Sequence, residues 1–264
     1  RPDDMAVGDV DGDGNYELIL KWMPDNQRDS GSKKGFSSPI IISAYRMDGT
    51  PLWKKNINIG PNVRSGNHTT QLVVYDLDGD GKAEVICKTA PGSTDGNGNY
   101  VTEAGDAAIK AVDNSKSYVD GNGLVTDGEE FLTVFNGETG AAMNTIWYSP
   151  SRSGVDFPTS GCVVNSFFGD ANCNRSERFN AAVAYLDGQD KLPTAIFQRG
   201  YYKNCFIWAV DWNGKKLSTR WLHKGLSGKW ETVDGNGNVI SSGTGNSSFG
   251  QGVHGISVGD VNTD

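Results

Sequence analysis

An acidic loop that occurs twice, each time between two apolar runs, most constrains how this chain can fold. The loop reads DVDGDGNYE at residues 9–17 and DLDGDGKAE at residues 76–84, and a third copy starts as DVNTD at residues 260–264. Apolar runs precede the three copies at residues 5–7, 72–75 and 256–258. Both complete copies also lead into an apolar run. The repeated unit therefore predicts a strand, an acidic loop and a second strand.

A second recurring element is a tight turn with aromatic residues on its flanks. It occurs at Asp48-Gly49, Asn136-Gly137 and Asn213-Gly214, and these dipeptides favour the turns of β-hairpins. Acidic loops and hairpin turns alternate along the chain. That periodicity is typical of the antiparallel sheets that form the blades of a β-propeller. We therefore predict an all-β fold, and within it a partial β-propeller.

The chain is predicted to form one domain. No linker of distinct composition divides residues 1–264, so we expect the whole chain to be part of a single propeller. Two stretches rich in turn-forming residues, at 92–128 and 150–178, interrupt the repeat and are predicted to be insertions. The 35 glycines suit many short strands joined by tight turns, and no period-3.6 stripe favours helices.

The carboxylates of the acidic loops predict calcium binding. Calcium prefers about 6–8 oxygen ligands, many of them carboxylates, and alternating Asp and Gly let a loop curl around an ion. Solvated surface turns are the alternative, but so many close carboxylates repel one another without a cation. The predicted ligands, in which Asn15 and Lys82 offer backbone carbonyls, are Asp9, Asp11, Asp13, Asn15, Glu17, Asp76, Asp78, Asp80, Lys82, Glu84, Asp260, Asn262 and Asp264. We expect these ions to hold strands together.

Charge, hydropathy and cysteine usage exclude some partners. The formal net charge of −8 argues against a nucleic acid, whose binding needs clustered Lys and Arg. Bound cations would offset that charge and so permit an acidic polymer as ligand. No segment has the ~20 apolar residues of a membrane helix, so no membrane partner is predicted.

Cys162 and Cys173 can form a disulfide, whereas Cys87 and Cys205 lie in apolar runs and are predicted to be buried thiols.

Longer segments of the chain carry a family resemblance. The matching segments are residues 9–22, 64–89, 131–142, 169–188, 198–202 and 250–260. The most specific stretches read RSGNHTTQ at 64–71, RSERFNAAVAYLDG at 175–188 and RGYY at 199–202. In these segments the chain resembles the rhamnogalacturonan lyases of polysaccharide lyase family 11. The resemblance implies an eight-bladed, calcium-binding propeller that cleaves the rhamnogalacturonan I backbone of pectin by β-elimination at galacturonate. We accordingly expect an acidic plant cell-wall polysaccharide as partner, a secreted, extracellular location and a monomer at full length.

The chain also departs from the family pattern. Pro91-Gly92 and Val253 stand where the family often carries Asp-Gly and Asn. Residues 170–177 start like an acidic loop, but residues without carboxylates interrupt it, so no calcium is predicted there. The resemblance implies a small β-domain before Asp9 and about half of the propeller after Asp264. The segment by itself is therefore expected to be inactive.

β-Elimination at a uronate needs a cation beside the carboxylate, a base for the C5 proton and a group that stabilises the leaving oxygen. Arg199 follows an apolar run and precedes Gly-Tyr-Tyr, so a strand end can present its cation beside aromatic rings. A cation–π or salt-bridged Arg at a blade end is the alternative. His68 and His254 precede apolar strands at equivalent places in the repeat, and each is a candidate catalytic residue or else a backbone-bonded rim histidine. The resemblance implies that His254 helps to build a metal site in the cleft. The candidate substrate-binding residues are Arg64, Asn67 and Tyr201.

Two functions compete. The first is a rhamnogalacturonan lyase, with endo or exo action and the general base left open. The second is a non-catalytic, calcium-stabilised propeller that binds carbohydrate or protein. The stretches at 175–188 and 199–202 favour the lyase, because a scaffold does not need them.

Overall fold

Antiparallel strands dominate the structure, as the repeat predicts. The structure is a computed structural model that describes residues 1–28, 31–245 and 253–261. These residues form fourteen strands in three sheets, and within each sheet every strand pairs with the next one along the chain. The prediction of an all-β fold is confirmed.

The three sheets follow one another in the sequence. The first contains β1 (Pro2–Gly8), β2 (Glu17–Trp22), β3 (Ile41–Tyr45) and β4 (Ile57–Asn58). The second contains β5 (Leu72–Tyr75), β6 (Glu84–Thr89), β7 (Phe131–Phe135) and β8 (Ala142–Trp147). The third contains β9 (Phe179–Ala184), β10 (Thr194–Arg199), β11 (Cys205–Trp212), β12 (Leu217–Leu226), β13 (Lys229–Asp234) and β14 (Val239–Thr244). The predicted insertions hold helical turns at Val101–Ala104 and Ser166–Phe168 and a short helix, α1 (Ala107–Lys110).

The second sheet is buried on both faces, which explains the continuous apolar runs of its central strands. In β6, Val85 and Cys87 face a core shared with the first sheet, whereas Ile86 faces a core shared with the third sheet. In β7, Phe131 faces the core shared with the first sheet, and Leu132 faces the core shared with the third sheet. This alternation follows the two-residue period of a strand. The three sheets therefore stack face to face in chain order.

The third sheet differs on its two faces. Phe197 and Trp208 belong to the core that this sheet shares with the second sheet. The other face carries a small cluster of Ala184, Ile196 and Ala209, with partly buried apolar residues around it. One face of this sheet is thus covered well and the other only in part.

The connections between first and second strands lie together at one end of the stack, which we call the loop end. Residues 9–16, 76–83 and 185–193 form these connections, and the amide of Ala83 donates to the carbonyl of Asp9 at 2.7 Å. At the opposite end, the amide of Phe179 donates to the carbonyl of His68 at 3.2 Å, and Lys21 Nζ donates to the carbonyl of Thr70 at 3.1 Å. Hydrogen bonds therefore tie neighbouring sheets together at both ends.

The predicted hairpin turns are confirmed. Asn136-Gly137 lies between β7 and β8, and Asn213-Gly214 lies between β11 and β12. Asp48-Gly49 reverses the chain after β3, with Gly49 at a φ of 87° and its amide donating to the carbonyl of Arg46. A positive φ strains any residue with a Cβ, which explains the glycine there.

The cysteines are all free thiols. Cys87 and Cys205 are buried, as predicted. Cys162 and Cys173 do not form a disulfide. Cys173 is buried and its Sγ donates to the carbonyl of Val125 at 3.3 Å, and Cys162 is half-buried. Among the described residues, no helix has the length and apolar character needed to cross a membrane.

Candidate functional site

The first acidic loop, residues 9–17, curls around the carboxylate of its first aspartate. Asp9 Oδ1 accepts a hydrogen bond from the amide of Gly12 at 2.7 Å, and Asp9 Oδ2 accepts one from Gly14 at 2.9 Å. Both glycines have positive φ values, which the curl requires. The curl brings carboxylate oxygens of Asp9, Asp11 and Asp13 within 4.8 Å of one another.

The second acidic loop, residues 76–84, repeats this geometry. Asp76 accepts hydrogen bonds from the amides of Gly79 at 2.7 Å and Gly81 at 3.0 Å. Here the carboxylate oxygens within 4.8 Å of one another belong to Asp76, Asp78 and Glu84. The curl and the first two converging carboxylates therefore repeat, whereas the third is Asp13 in the first loop and Glu84 in the second.

The last carboxylate of each loop is buried at the start of a strand. Glu17 accepts a hydrogen bond from the amide of Val10 at 3.1 Å, and Glu84 accepts one from Leu77 at 2.9 Å. Burial and the nearby loop aspartates raise the pKa of both groups, that of Glu84 to about 8. A hard divalent cation stabilises a buried carboxylate among other carboxylates, so the donor chemistry fits calcium.

Other predicted ligands take different positions. The side-chain amide of Asn15 donates to Asp13 Oδ1 at 3.0 Å, and hydrogen bonds from Asn15 lower the pKa of Asp13. The Lys82 ammonium pairs with Glu138 at 2.6 Å, and Asp80 Oδ1 accepts from the amide of Lys82 at 2.8 Å. In the third copy Asp260 is exposed, whereas Asn262 and Asp264 lie outside the described residues.

Residues 170–177, which start like an acidic loop but depart from its pattern, have a similar curl. Asp170 Oδ1 accepts from the amides of Asn172 at 3.1 Å and Asn174 at 3.2 Å, and Asp170 Oδ2 accepts from Arg175 at 3.0 Å. The Arg175 guanidinium lies 3.7 Å from Asp170. An arginine thus stands beside the first carboxylate where the other loops carry more carboxylates. That no calcium binds there stays a prediction.

Cationic and aromatic side chains meet at the opposite end of the stack. The Arg178 guanidinium lies over the ring of Tyr201, 4.7 Å from its centroid, and Tyr201 contacts His254 edge to face at 5.8 Å between centroids. His68 lies next to this group, since its carbonyl accepts from the amide of Phe179, the residue after Arg178. We call these four residues, Arg178, Tyr201, His254 and His68, the cationic cluster.

The electrostatics of the cationic cluster favour a neutral His68. Burial lowers the pKa of this half-buried imidazole, and the positive charge of Arg178 and the neighbouring His254 lower it further. The ring is therefore uncharged at neutral pH and has a nitrogen that can accept a proton. A neutral imidazole beside a guanidinium is suited to removing a proton from an anion-bearing substrate.

Backbone geometry holds the cluster in place. The amide of Gly200 donates to the carbonyl of Arg178 at 2.9 Å. Gly200 has a φ of 85°, and a Cβ at this position would lie 2.4 Å from the carbonyl oxygen of Asn204. Tyr202 has a φ of 71°, uncommon for a residue with a side chain, and its ring lies under the Arg175 guanidinium at 5.2 Å. The turn after β10 thus sets the directions of two neighbouring tyrosines.

The structure brings three predicted site residues together and adds one. His68, Tyr201 and His254 were predicted and are neighbours, and exposed Asn67 precedes His68. Tyr201 is only 3 % exposed, so it supports Arg178 and leaves little ring surface for a sugar. Arg178 was not singled out from the sequence, although it lies inside the family-like stretch 175–188.

Arg199 does not lie where the sequence suggested. Its side chain is 1 % exposed, and its guanidinium pairs with Glu130 at 2.8 Å and Glu177 at 3.1 Å. It also donates to the carbonyls of Ser176 and Pro150. The contacts correct the prediction of a surface cation and support the alternative of a salt-bridged Arg, because the guanidinium already has its partners inside the protein.

Arg199 belongs to a larger group that the sequence analysis missed. Lys88 pairs with Glu130 at 2.9 Å and Glu177 at 2.8 Å, and Arg152 pairs with Glu130 at 3.1 Å. These residues are all buried. We call the five, Lys88, Glu130, Arg152, Glu177 and Arg199, the ion-pair cluster. They come from five separate segments, so only the tertiary structure reveals that they meet.

Arg64 also serves the fold and is not open to substrate. It is buried, and its guanidinium donates to the carbonyls of Lys33, Gly35 and Gly123. These carbonyls belong to two separate loops, which Arg64 therefore joins. The prediction that it binds substrate is corrected for this reason.

Comparisons with known proteins agree on one family. A family model described as "Rhamnogalacturonan lyase family 11, C-terminal domain" matches residues 1–264. The chain is 44 % identical over 262 residues to rhamnogalacturonan endolyase YesW of Bacillus subtilis, and 40 % identical over 261 residues to rhamnogalacturonan exolyase YesX of the same organism. In both cases the match covers 99 % of this chain and 36 % of the relative, so the chain spans about a third of the length of these relatives.

Solved structures show the same similarity. The structure of YesW superposes with a TM-score of 0.73 at 38 % identity, covering 91 % of this chain and 42 % of that one. A rhamnogalacturonan lyase from Bacillus licheniformis gives a TM-score of 0.73 at 36 % identity, covering 90 % of this chain and 41 % of that one. The arrangement of the sheets is therefore shared with these enzymes over nearly the whole chain.

Proposed function

This chain belongs to rhamnogalacturonan lyase family 11, and from that premise we propose that it forms part of a lyase that cleaves the rhamnogalacturonan I backbone of pectin by β-elimination at galacturonate. The observation that carries the proposal is the cationic cluster, where Arg178 and His254 contact the ring of Tyr201 and His68 lies next to them. Such a surface attracts a uronate, in contrast to the net charge of −8 of the whole chain.

We assign the chemical roles within the cluster by charge and position. Half-buried Arg178 would neutralise the galacturonate carboxylate, which makes the C5 proton easier to remove. His68 would accept that proton, because burial and the charge of Arg178 lower its pKa and so keep the imidazole unprotonated before the reaction. Tyr201 would hold the Arg178 guanidinium in position through its ring face. Exposed His254 would contact the substrate or the cleft metal site.

We further propose that the two acidic loops hold calcium. The donor sets of Asp9, Asp11 and Asp13 and of Asp76, Asp78 and Glu84 consist of converging hard oxygen atoms. When bound, calcium would supply positive charge that holds the loop and its flanking strands together. The loop residues contribute the curl itself, because hydrogen bonds from the glycine amides already position the first aspartate.

The sheet arrangement supports a propeller. Three meanders stack face to face in chain order, with their first strands β1, β5 and β9 in contact and their turns at a common end. We therefore interpret the sheets as consecutive blades of one domain, the first strand of each being innermost. Because pectin lies outside the cells that degrade it, we also propose that the protein is secreted, and that it is a monomer at full length.

The test is an activity assay of the full-length protein with calcium and rhamnogalacturonan I. β-Elimination gives an unsaturated uronate product that absorbs ultraviolet light. We expect Arg178→Met to lower turnover on the order of 10²–10³-fold, as loss of a charge-stabilising donor does. The matched control is Arg220→Met, which removes a partly exposed arginine that pairs with Asp187 away from the cationic cluster.

The outcomes separate the two candidate functions. Absorbing product that disappears with Arg178→Met and persists with Arg220→Met supports the lyase. Binding of the polysaccharide without any product would instead support the non-catalytic propeller. Full activity of Arg178→Met would show that the cationic cluster is not the reaction site.

A further inference from the structure

A groove lies at the loop end of the sheets, opposite the cationic cluster. It has no role in the proposed reaction. It has a volume of about 650 Å³, within the range of small-molecule sites. Its walls come from both acidic loops and from residues 185–193, so all three sheets contribute to it. The same stacking that joins the sheets therefore builds this groove.

Three tyrosines line the groove. Tyr16 is 61 % exposed and Tyr185 is 40 % exposed, while Tyr75 in the same lining is half-buried. The hydroxyls of Tyr75 and Tyr185 are 3.0 Å apart, and their rings meet edge to face at 6.3 Å between centroids. This contact orders the two rings before any ligand binds. Ordered aromatic rings with an apolar face and a polar hydroxyl are suited to the C–H faces and hydroxyl groups of a sugar.

The charges around the groove select against an acidic sugar. The lining contains Asp9, Asp76 and Asp190, and its lysine, Lys191, already pairs with Asp190 at 2.8 Å. One calcium ion in each loop would not reverse this sign, since each loop has four carboxylates. Like charges repel a uronate, whereas carboxylates and the exposed amide of Gln189 can accept or donate hydrogen bonds to neutral hydroxyls.

We propose that this tyrosine groove, formed by Tyr16, Tyr75, Tyr185 and the adjoining ends of the two acidic loops, binds an uncharged oligosaccharide. The protein then has two sugar-binding surfaces of different chemistry at opposite ends of the same sheets. The cationic end takes the galacturonate-containing backbone, and the tyrosine groove takes neutral sugar residues of the same material. The groove does not depend on the lyase reaction.

The experiment is a calorimetric titration of the full-length protein, in calcium, with an uncharged galacto-oligosaccharide and separately with a galacturonate oligosaccharide. Tyr16→Ala and Tyr185→Ala should each weaken binding of the neutral sugar about tenfold, because each removes an aromatic contact. Tyr185→Phe keeps the ring and should retain most of the affinity. The matched control is Tyr100→Ala, which removes a tyrosine that is 42 % exposed outside the groove.

Each outcome decides the proposal. Neutral-sugar binding that falls with Tyr16→Ala and Tyr185→Ala, but not with Tyr100→Ala, supports it. No binding of the neutral sugar, or preference of these tyrosines for the galacturonate oligosaccharide, overturns it. Product formation from rhamnogalacturonan is measured in the same preparations, so failure of the groove and failure of the proposed lyase activity are distinguished. Tyr185→Phe guards against misfolding of the alanine variant.

Discussion

The acidic loops and the ion-pair cluster concentrate charge at opposite ends of the same sheets, and they do so in opposite ways. In each loop, several negatively charged carboxylates lie close together near the surface. The ion-pair cluster combines three cations and two carboxylates, all buried. The two groups differ in where their counterions come from. The cluster contains its own counterions. Among the described residues, the loop carboxylates have a cationic partner only in the first loop, where Arg46 pairs with Asp11, and we propose that calcium supplies the remaining positive charge.

The ion-pair cluster shows how a buried carboxylate stays charged. Burial alone would raise the pKa of Glu130, but Arg152, Arg199 and Lys88 hold it well below its usual value. We call the first acidic loop, residues 9–17, loop 1 and the second, residues 76–84, loop 2. In loop 2, burial raises the pKa of Glu84 to about 8, and the nearby aspartates act in the same direction. Two buried glutamates of one sheet, Glu84 at the start of β6 and Glu130 just before β7, therefore differ because of their neighbours.

The largest expected effect comes from opening the ion-pair cluster. Glu130→Ala leaves Lys88, Arg152 and Arg199 with a single carboxylate, and removing one partner of a buried ion pair costs about 3–5 kcal/mol of unfolding free energy. Denaturant unfolding followed by circular dichroism measures it. The control is Glu138→Ala, which removes an exposed ion pair of the same sheet and should change little. Equal stabilities of the two variants would mean that the cluster contributes no more than a surface pair.

A slightly smaller loss is expected from Arg199→Met, which keeps most of the volume but leaves Glu130 and Glu177 with fewer cations. We expect about 3 kcal/mol. Turnover of the folded protein should fall far less than in Arg178→Met, because Arg199 does not face substrate. The control is Arg175→Met, which removes a half-buried arginine nearby. A stable Arg199→Met with lost turnover would restore the original prediction of a catalytic Arg199.

Calcium removal should have a medium effect, restricted to the loops. An ion that binds only the folded state adds about 2.7 kcal/mol when its concentration is 100 times the dissociation constant. We therefore expect a chelator to lower the melting temperature of the wild type. Asp78→Asn should reduce the size of that shift, while Glu138→Ala should leave it unchanged. If the chelator does not alter the melting curve, the proposal that the two loops bind calcium is wrong.

The sequence was informative where a pattern is local. The strand–loop–strand repeat, the hairpin turns and the acidic loop residues all lie within short segments. The structure shows the expected strands and turns, and it brings together three carboxylates in each of the loops 9–17 and 76–84. Local spacing suffices there, because the converging carboxylates share one loop and the loop makes its own hydrogen bonds.

Long-range pairings were beyond the reach of sequence patterns. Arg199 precedes Gly-Tyr-Tyr, which suggested an exposed strand end, but its partners Glu130 and Glu177 lie 69 and 22 residues away. Arg64 likewise joins carbonyls up to 59 residues away. A charged residue at a strand end has the same local pattern whether it is exposed or buried. The positions of distant segments decide between the two.

The smallest expected effect separates the two acidic loops themselves. In loop 1, Arg46 lies 2.8 Å from Asp11 and supplies a cation of the protein's own. In loop 2, no Lys or Arg among the described residues lies within ion-pair distance of a loop carboxylate, since Lys82 pairs with Glu138 and Asp78 instead accepts from Trp212 Nε1 at 3.2 Å. Loop 1 is therefore partly neutralised without an added ion.

Arg46→Ala tests this difference, because its cost should depend on calcium. With calcium bound, the ion supplies the missing charge and the variant should unfold like the wild type. In chelator, the loop carboxylates lose their remaining partner, and we expect a loss of at most about 1 kcal/mol, the ceiling for a partly exposed ion pair. Lys82→Ala is the matched control in loop 2 and should show no dependence on calcium. If Arg46→Ala costs the same with and without chelator, the arginine does not substitute for an ion, and loop 1 depends on calcium as fully as loop 2 does.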